Sequence, residues 1–276
     1  MDIDFKCTMC GKCCHDLRLP LTASEAVAWL EAGNDVEILC EALPWPEEPP
    51  ADNLQAAQKR RRSFAAMSGS LPARVVVILA GTHAGPCPNL RPDMRCGIYE
   101  KRPLVCRIYP AEISPFIALV PEHKMCPPES WTPGSSPLLR AGKLVDSDML
   151  ALIQQSRDAD ANDVPIKQQV CALLGIGHAG VSNEGFVAHS PDRVELLAAL
   201  RQASSGHDAP ALSSTWRFVS QRRNTVDVLE SVGALGTLVD ANSTFGSNIW
   251  GFRRALIEGR RGAVGTGQAA GGTTVF

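Results

Sequence analysis

The spacing of apolar residues predicts helices along much of the chain. A capping box marks the first helix, because Thr22 can cap its first turn and Glu25 follows three residues later, and Gly33 ends the helix. The same pattern predicts further helices at residues 35–43, 52–68, 146–157, 163–174, 190–204, 212–232 and 247–259. A chain with this pattern is expected to be rich in helix.

Two short apolar runs predict strands instead. Residues 74–79 read Arg-Val-Val-Val-Ile-Leu, a β-branched run that is typical of a strand. Residues 117–120 are also apolar, and Pro115 and Pro121 bound them. We therefore predict an α+β protein that is predominantly α.

Composition shifts suggest where the chain divides. Residues 131–137 are rich in Pro, Gly and Ser, which is typical of a linker. We predict a loop-rich cysteine module at residues 1–131 and an accompanying helical region at residues 138–261. Residues 262–276 are rich in Gly, Ala and Thr without apolar periodicity, so a disordered tail is predicted there.

Charge and hydropathy narrow the class of protein. The formal net charge of −2 provides no basic field, so nucleic acid binding is not predicted. The sequence contains neither a secretion signal at its start nor a run of ~18 apolar residues that could span a membrane. These features predict a cytoplasmic protein, in which thiols stay reduced. Ten cysteines then argue for metal binding or redox chemistry over disulfides.

Most of the cysteines fall into two blocks, residues 7–14 and residues 87–106, and Cys126 follows the second block. Cys40 and Cys171 are outliers, and Cys40 is most simply a small buried apolar residue. Thiolates separated by two residues can converge on one soft metal centre, because the chain can turn around the ion. We predict that most of the clustered cysteines coordinate metal: Cys7, Cys10, Cys13, Cys14, Cys87, Cys96, Cys106 and Cys126.

The spacing favours an iron–sulfur cluster and leaves zinc as the alternative. The run from Cys7 to Cys13 suits three irons of a cubane cluster, with the fourth ligand supplied by a distant cysteine. Zinc competes, because four-cysteine zinc sites with Cys-x-x-Cys pairs are common. A thioredoxin-like dithiol site is less favoured, since it needs one such pair and not eight thiols.

The number of metal centres stays open at this point. Adjacent Cys13 and Cys14 point in different directions in either a helix or a strand, so they are not expected to share one metal. Cys14 then serves a second centre or remains a free thiol. The eight thiolates could complete two four-cysteine sites, or one cluster with several structural or reactive thiols.

Two other features of the sequence could belong to a cofactor site. Arg102 and Arg107 lie between the cysteines, where they could offset thiolate charge and orient a carboxylate or phosphate, or form structural salt bridges. Residues 175–180 fit a G-x-G-x-x-G pattern. The segment before them is predicted to be a helix and not a strand, so glycines that end a helix explain the pattern better.

The cysteine pattern resembles the YkgJ-type cysteine-cluster family over about residues 5–128. The residues that carry the resemblance are Cys7-x-x-Cys10-Gly-x-Cys13-Cys14, then Cys87-Pro, then Cys96-x-Ile-Tyr99-x-x-Arg102-Pro103-x-x-Cys106-Arg107-x-Tyr-Pro110. That family is described as putative zinc- or iron-chelating, many members are labelled as containing iron–sulfur clusters, and flagellin lysine N-methylases are functional relatives.

The resemblance implies a [4Fe-4S]-type cluster in a redox or protein-modifying, methylase-like role. Such a role implies a protein substrate or a redox partner. Two alternatives stay open: a zinc-stabilised binding module without catalysis, and a metal-handling protein.

Overall fold

The computed structural model describes residues 1–206, 215–240, 244–245 and 250–253. The strands are β1 (Ile3–Asp4), β2 (Arg18–Leu21), β3 (Asp35–Pro44), β4 (Ser63–Ser68), β5 (Leu71–Thr82), β6 (Pro137–Arg140), β7 (Lys143–Leu144), β8 (His178–Val181), β9 (Phe186–His189), β10 (Arg217–Ser220), β11 (Gly236–Leu238), β12 (Thr244–Phe245) and β13 (Trp250–Arg253). The helices are α1 (Ala23–Glu31), α2 (Leu54–Arg61), α3 (Leu104–Ile108), α4 (Ser147–Asn162), α5 (Val164–Leu173), α6 (Arg193–Ser204) and α7 (Arg223–Ser231).

The prediction of a predominantly α protein is wrong, although the α+β class is consistent with the structure. Of the described residues, 34% are helical and 26% lie in strands, and most strands join one large mixed sheet. Residues 35–43 were predicted to be helical but form the central strand β3. Its residues from Ile38 to Ala42 are all buried, so they form a nearly continuous apolar run. Such a run is hard to distinguish from a buried helix by periodicity.

Three other helix predictions were wrong in part. Residues 52–68 form α2 and then β4, which pairs antiparallel with β5. Residues 212–232 contain β10 before α7, and residues 250–253 of the last predicted helix form β13. Residues 117–120 do not lie in a strand. The predicted disordered tail, 262–276, lies outside the described residues.

The strongest local signals were confirmed. Thr22 and Glu25 form the predicted capping box on α1: the Glu25 amide donates to Thr22 Oγ1 at 3.2 Å, and the Thr22 amide donates to Glu25 Oε2 at 2.9 Å. The predicted strand at 74–79 lies inside β5. Helices α4, α5 and α6 overlap the helices predicted from the spacing of apolar residues.

One compact unit contains the large sheet, and it combines Pro20–Gly81 with the described part of Ala159–Leu256. Its main strand order is β11-β10-β8-β3-β9-β13-β12, and β5 joins β3 to the outer strands β2 and β4. The four strands β11, β10, β8 and β3 are parallel neighbours, whereas β9 runs antiparallel to β3. Helix α6 connects β9 to β10 and α7 connects β10 to β11. None of the described helices is long and apolar enough to cross a membrane.

A cluster of charged side chains connects α5, the end of α4 and the residue just before β4 in this unit. Lys167 Nζ lies 2.5 Å from Asp160 Oδ1, and Arg62 Nε lies 2.8 Å from Asp160 Oδ2. The Lys167 side chain is only 4% exposed. Burial alone would raise the pKa of the Asp160 carboxyl, but the charges of Lys167 and Arg62 outweigh it and lower that pKa.

The second unit carries every clustered cysteine and includes Met1–Leu19 and Thr82–Asp158. A small sheet of β1, β6 and β7 joins its two ends, and Arg140 Nη2 lies 2.5 Å from Asp4 Oδ1 across it. Leu104 and Ile108 of α3 pack in one apolar cluster with Ile153 of α4. Helix α4 is also fixed by the Arg157 guanidinium, which donates to the Ile113 carbonyl at 2.6 and 2.8 Å. The predicted division into residues 1–131 and 138–261 stays a prediction.

We predict that Asp160→Asn lowers the free energy of unfolding by about 3 kcal/mol, because it leaves the buried Lys167 charge without its carboxylate. Since the folded pKa of Asp160 is lowered, its contribution is present above the unfolded value of about 3.9 and is lost as pH falls through the folded pKa. Urea unfolding from pH 7 down to pH 3 measures both effects. The exposed Asp52→Asn is the control, with an expected change below about 0.5 kcal/mol. Equal losses in the two variants would contradict the prediction.

Candidate metal centre

The N-terminal cysteine run forms a tight loop. Met9 and Gly11 both adopt positive φ, at 53° and 69°, and the Cys14 amide donates to the Gly11 carbonyl at 3.0 Å. A Cβ atom on Gly11 would lie only 2.5 Å from the Met94 carbonyl oxygen. Glycine is therefore required here, both for the backbone turn and for the close approach to the second cysteine block.

The two cysteine blocks meet through a short antiparallel ladder. The Cys87 amide donates to the Cys14 carbonyl at 2.7 Å, and the Asp16 amide donates to the Gly85 carbonyl at 2.8 Å. His15 and Pro86 form the β-bridge between these two bonds. Cys14 therefore lies directly opposite Cys87, so their side chains project to the same face of the ladder.

A closed loop brings Cys96 back toward Cys87. The Leu90 amide donates to the Cys87 carbonyl at 2.8 Å, and Leu90 then forms an antiparallel bridge with Cys96. The Gly97 amide completes the loop by donating to the Asn89 carbonyl at 2.7 Å. Cys106 follows on α3, whose first turn begins after Pro103.

The start of the cysteine run is fixed to a different segment. The Lys6 amide donates to the Ser130 carbonyl at 2.9 Å, and the rings of Phe5 and Trp131 have their centroids 4.9 Å apart. The Trp131 indole N–H in turn donates to the Cys126 carbonyl at 3.4 Å. These contacts hold Cys126 beside the first turn of the N-terminal loop.

Four thiols share one electrostatic environment. Burial raises the pKa of the Cys106 thiol to about 12, and the neighbouring thiols of Cys14, Cys87 and Cys96 add to this effect. Burial also raises the pKa of Cys87, and Cys14 and Cys96 raise it further. The pKa of Cys14 is raised first by its hydrogen bond with Cys13 and then by burial. The charges of Cys14, Cys87 and Cys96 therefore all act on the Cys106 thiol.

The remaining clustered thiols form a second neighbourhood around Tyr109. Burial raises the pKa of the Cys126 thiol to about 11, the thiols of Cys7 and Cys10 raise it further, and the hydrogen bond with Tyr109 opposes the rise. Burial also raises the pKa of Tyr109 itself, and Cys126 and Cys13 add to it, whereas the hydrogen bond with the Met125 amide opposes the rise. That amide donates to Tyr109 Oη at 2.6 Å.

Cys13 and Cys14 lie where the two neighbourhoods meet. Their sulfur atoms are 4.0 Å apart. Each is half-buried, as are the other clustered cysteines except Cys7, which is exposed. Cys40 and Cys171, the outliers in sequence, are buried in the other unit, as predicted for Cys40. All ten cysteines are free thiols.

Of the two arginines proposed from sequence, Arg102 is the one that lies among the thiols. Its charge lowers the pKa of Cys14 and of Cys106, against the stronger effects that raise them. Arg102 Nε donates to the Tyr99 carbonyl at 2.8 Å, and its guanidinium carbon lies 3.7 Å from the centroid of the Tyr99 ring. Arg107 is exposed near the end of α3.

Sequence reasoning did not identify the polar contacts of Tyr99 and Tyr109. Tyr109 Oη accepts from the Met125 amide and neighbours the Cys126 thiol, and Tyr99 neighbours the Cys7 thiol. The signal in the sequence was their position inside the second cysteine block.

The donor chemistry of this unit fits zinc or iron. Within the described ranges, no three side chains of Cys, His, Asp or Glu already converge on one ion-sized point. The fit of zinc or iron to this unit therefore rests on its thiols and on the contacts that bring the cysteine segments together. Eight thiols share one unit, and a soft cation could replace their protons and hold the resulting thiolates.

Comparison with known proteins agrees with this chemistry. Residues 6–127 match the CxxCxxCC family model, which is described as a putative zinc- or iron-chelating domain. The match covers somewhat less than half of the chain. It confirms the resemblance predicted from the cysteine pattern, whereas the relation to flagellin methylases stays a prediction. No curated protein and no solved structure matches the chain.

We predict that Arg102→Gln weakens metal retention about tenfold or more, because the variant removes the cation that favours thiolates at Cys14 and Cys106. Competition with a chromogenic chelator measures the change. Arg107→Gln removes a charge of the same type from an exposed position five residues away and is expected to retain metal as the parent protein does. An equal loss in both variants would show that net charge matters and the position of Arg102 does not.

Proposed function

We propose that residues 6–127, which match the family model of a putative zinc- or iron-chelating domain, carry a [4Fe-4S]-type cluster. The ligands are Cys7, Cys10, Cys13 and Cys126. The observation that carries this proposal is the set of contacts that hold Cys126 beside the N-terminal loop. We also retain a cytoplasmic location, where thiols stay reduced.

A cubane cluster needs three ligands on one short run and a fourth from elsewhere, or a closely related arrangement. The Cys7, Cys10 and Cys13 spacing supplies the run. Cys126 is followed by Pro127, which repeats the Cys-Pro ending of ferredoxin-type sites. Both the spacing and the contact with Cys126 therefore favour iron–sulfur over zinc at this centre.

Tyr109 would tune such a cluster. Its hydroxyl is fixed by the Met125 amide and hydrogen-bonds with Cys126. Hydrogen bonds to ligand sulfur and the degree of solvent exposure are two of the factors that set cluster potential.

The surface next to this centre favours a macromolecular partner. Met9 and Met125 are 42% and 49% exposed, and each adjoins a proposed ligand in sequence. Exposed apolar side chains beside a partly exposed centre are typical of a docking surface. We propose a redox or protein-modifying role, with a protein substrate or redox partner that docks here.

A zinc-stabilised binding module is the second candidate. Its support is the loop-rich character of residues 83–135, where few regular elements hold the chain. A metal-handling role is the third, and the exposure of Cys7 favours it. Zinc alone at the four proposed ligands would favour the zinc-stabilised module, and rapid loss of metal to a chelator would favour the metal-handling role.

We predict that the full chain, purified without oxygen, contains iron and acid-labile sulfide in equal amounts and absorbs visible light. Cys10→Ser should lose most of the iron and sulfide, because it removes one of the four proposed cluster ligands. Cys40→Ala should keep both, because Cys40 is fully buried in the other unit. Metal and sulfide analysis of the same samples measures the result. A colourless protein that holds only zinc, even after anaerobic reconstitution with iron and sulfide, would overturn the proposal.

A further inference from the structure

We propose that the unit with the large sheet binds a small organic cation, a protonated amine with an apolar body, in a cavity beside α6. The cavity has a volume of about 380 Å³ and is lined by the end of α5, the end of β9 and one face of α6. Small-molecule sites in proteins have volumes of roughly 300–1,000 Å³, so this cavity can hold one small ligand. All of its lining residues lie outside the cysteine module, so the inference goes beyond the proposed function.

The first wall is the end of α5, where Leu173, Leu174 and Ile176 line the cavity. Gly175 has a positive φ of 64°, and the Ile176 amide donates to the Cys171 carbonyl at 2.8 Å. This is the hydrogen bond of a helix end in which glycine follows the last turn. Gly175, the first glycine of the G-x-G-x-x-G pattern, therefore ends the helix and fixes an apolar wall by its backbone.

The second wall is the end of β9, where His189 is only 4% exposed. Its Nε2 donates to the His178 carbonyl at 2.9 Å, because a carbonyl oxygen can only accept. Burial lowers the pKa of His189 to about 4. The imidazole is therefore neutral at neutral pH and does not repel a cation in the cavity.

The third wall is one face of α6. Glu195, Ala198, Ala199 and Gln202 line the cavity, and their spacing of three and four residues places them on one side of the helix. The two alanines carry only a methyl group each, which leaves space between α6 and the other walls. Ala199 is buried, whereas Glu195 and Gln202 are exposed, so these two polar side chains lie at the opening.

Glu195 supplies the charge at the opening. Among the described residues that line the cavity, it alone is charged at neutral pH. The arginines of α6 are engaged elsewhere: Arg201 Nη2 lies 2.7 Å from Glu31 Oε1, and Arg193 Nη1 donates to the Gly33 carbonyl. Within the described part of the chain, no cation pairs with the Glu195 carboxylate.

These walls determine the class of ligand. A carboxylate at the opening favours a positive charge, and the apolar side chains inside favour an apolar body. An anion of the same shape would be repelled by Glu195. The ligand is therefore a protonated amine attached to one small ring or a short apolar chain.

The test uses three probes that share a phenyl ring and a two-carbon arm and differ in their end group. At pH 7, 2-phenylethylamine is a cation, 2-phenylethanol is neutral and 3-phenylpropanoate is an anion. Methyl NMR of the full chain, labelled at Leu and Ile, measures the affinity and the place of binding together. We expect the amine to bind at least tenfold more tightly than the alcohol, the anion not to bind, and the methyl signals of Leu173, Leu174 and Ile176 to shift.

Three variants test the roles of charge and space. Glu195→Gln should reduce the affinity for the amine to that for the alcohol, because it removes the charge and keeps the shape. Asp227→Asn removes a carboxylate from an exposed position on α7 and should leave the affinity unchanged. Ala199→Leu should fill the cavity and weaken the binding of both the amine and the alcohol at least tenfold.

Several results would overturn the inference. They are no binding of the amine up to about 10 mM, tighter binding of the alcohol or the anion, methyl shifts away from the cavity, or equal losses in Glu195→Gln and Asp227→Asn. If Ala199→Leu fails to fold, the methyl shifts of the parent chain and the Glu195→Gln affinity decide. None of these measurements involves the metal, so their failure would leave the proposed function untouched.

Discussion

The metal-binding unit depends on one backbone contact, the hydrogen bond from the Cys87 amide to the Cys14 carbonyl. This bond flanks the β-bridge between His15 and Pro86, and together they bring two cysteine blocks that are distant in the chain next to each other. Three features lie near this contact: the turn at Gly11, the closed loop that ends at Cys96, and Arg102. Because thiolates repel one another, the unit can concentrate them only where a cation offsets their charge.

The adjacent residues Cys13 and Cys14 connect the two groups of thiols. Cys13 and Cys14 lie in the turn that the Cys14 amide closes on the Gly11 carbonyl, and their sulfur atoms are 4.0 Å apart. Cys13 neighbours Tyr109 and the Cys126 side, whereas Cys14 faces Cys87 and Cys106. Their closeness links the fold of the N-terminal loop to both groups of thiols.

Part of this account follows from sequence, and the rest needs long-range contacts. The capping box at Thr22 and the β-branched run at 74–79 are local signals, so they predicted α1 and β5 correctly. β3 was misread because a strand buried on both faces does not alternate. Cysteine spacing predicted metal chemistry, but it could not predict that Cys126 lies beside the N-terminal loop. That proximity depends on the contacts of Lys6 and Phe5 with Ser130 and Trp131.

The most direct test of the central claim, that Cys7, Cys10, Cys13 and Cys126 hold one iron–sulfur cluster, is anomalous diffraction from crystals grown without oxygen. Data collected on either side of the iron and zinc absorption edges locate each metal separately. We predict an iron peak next to Cys7, Cys10, Cys13 and Cys126. Zinc alone at this position, or an iron peak next to a different set of cysteines, would contradict the claim.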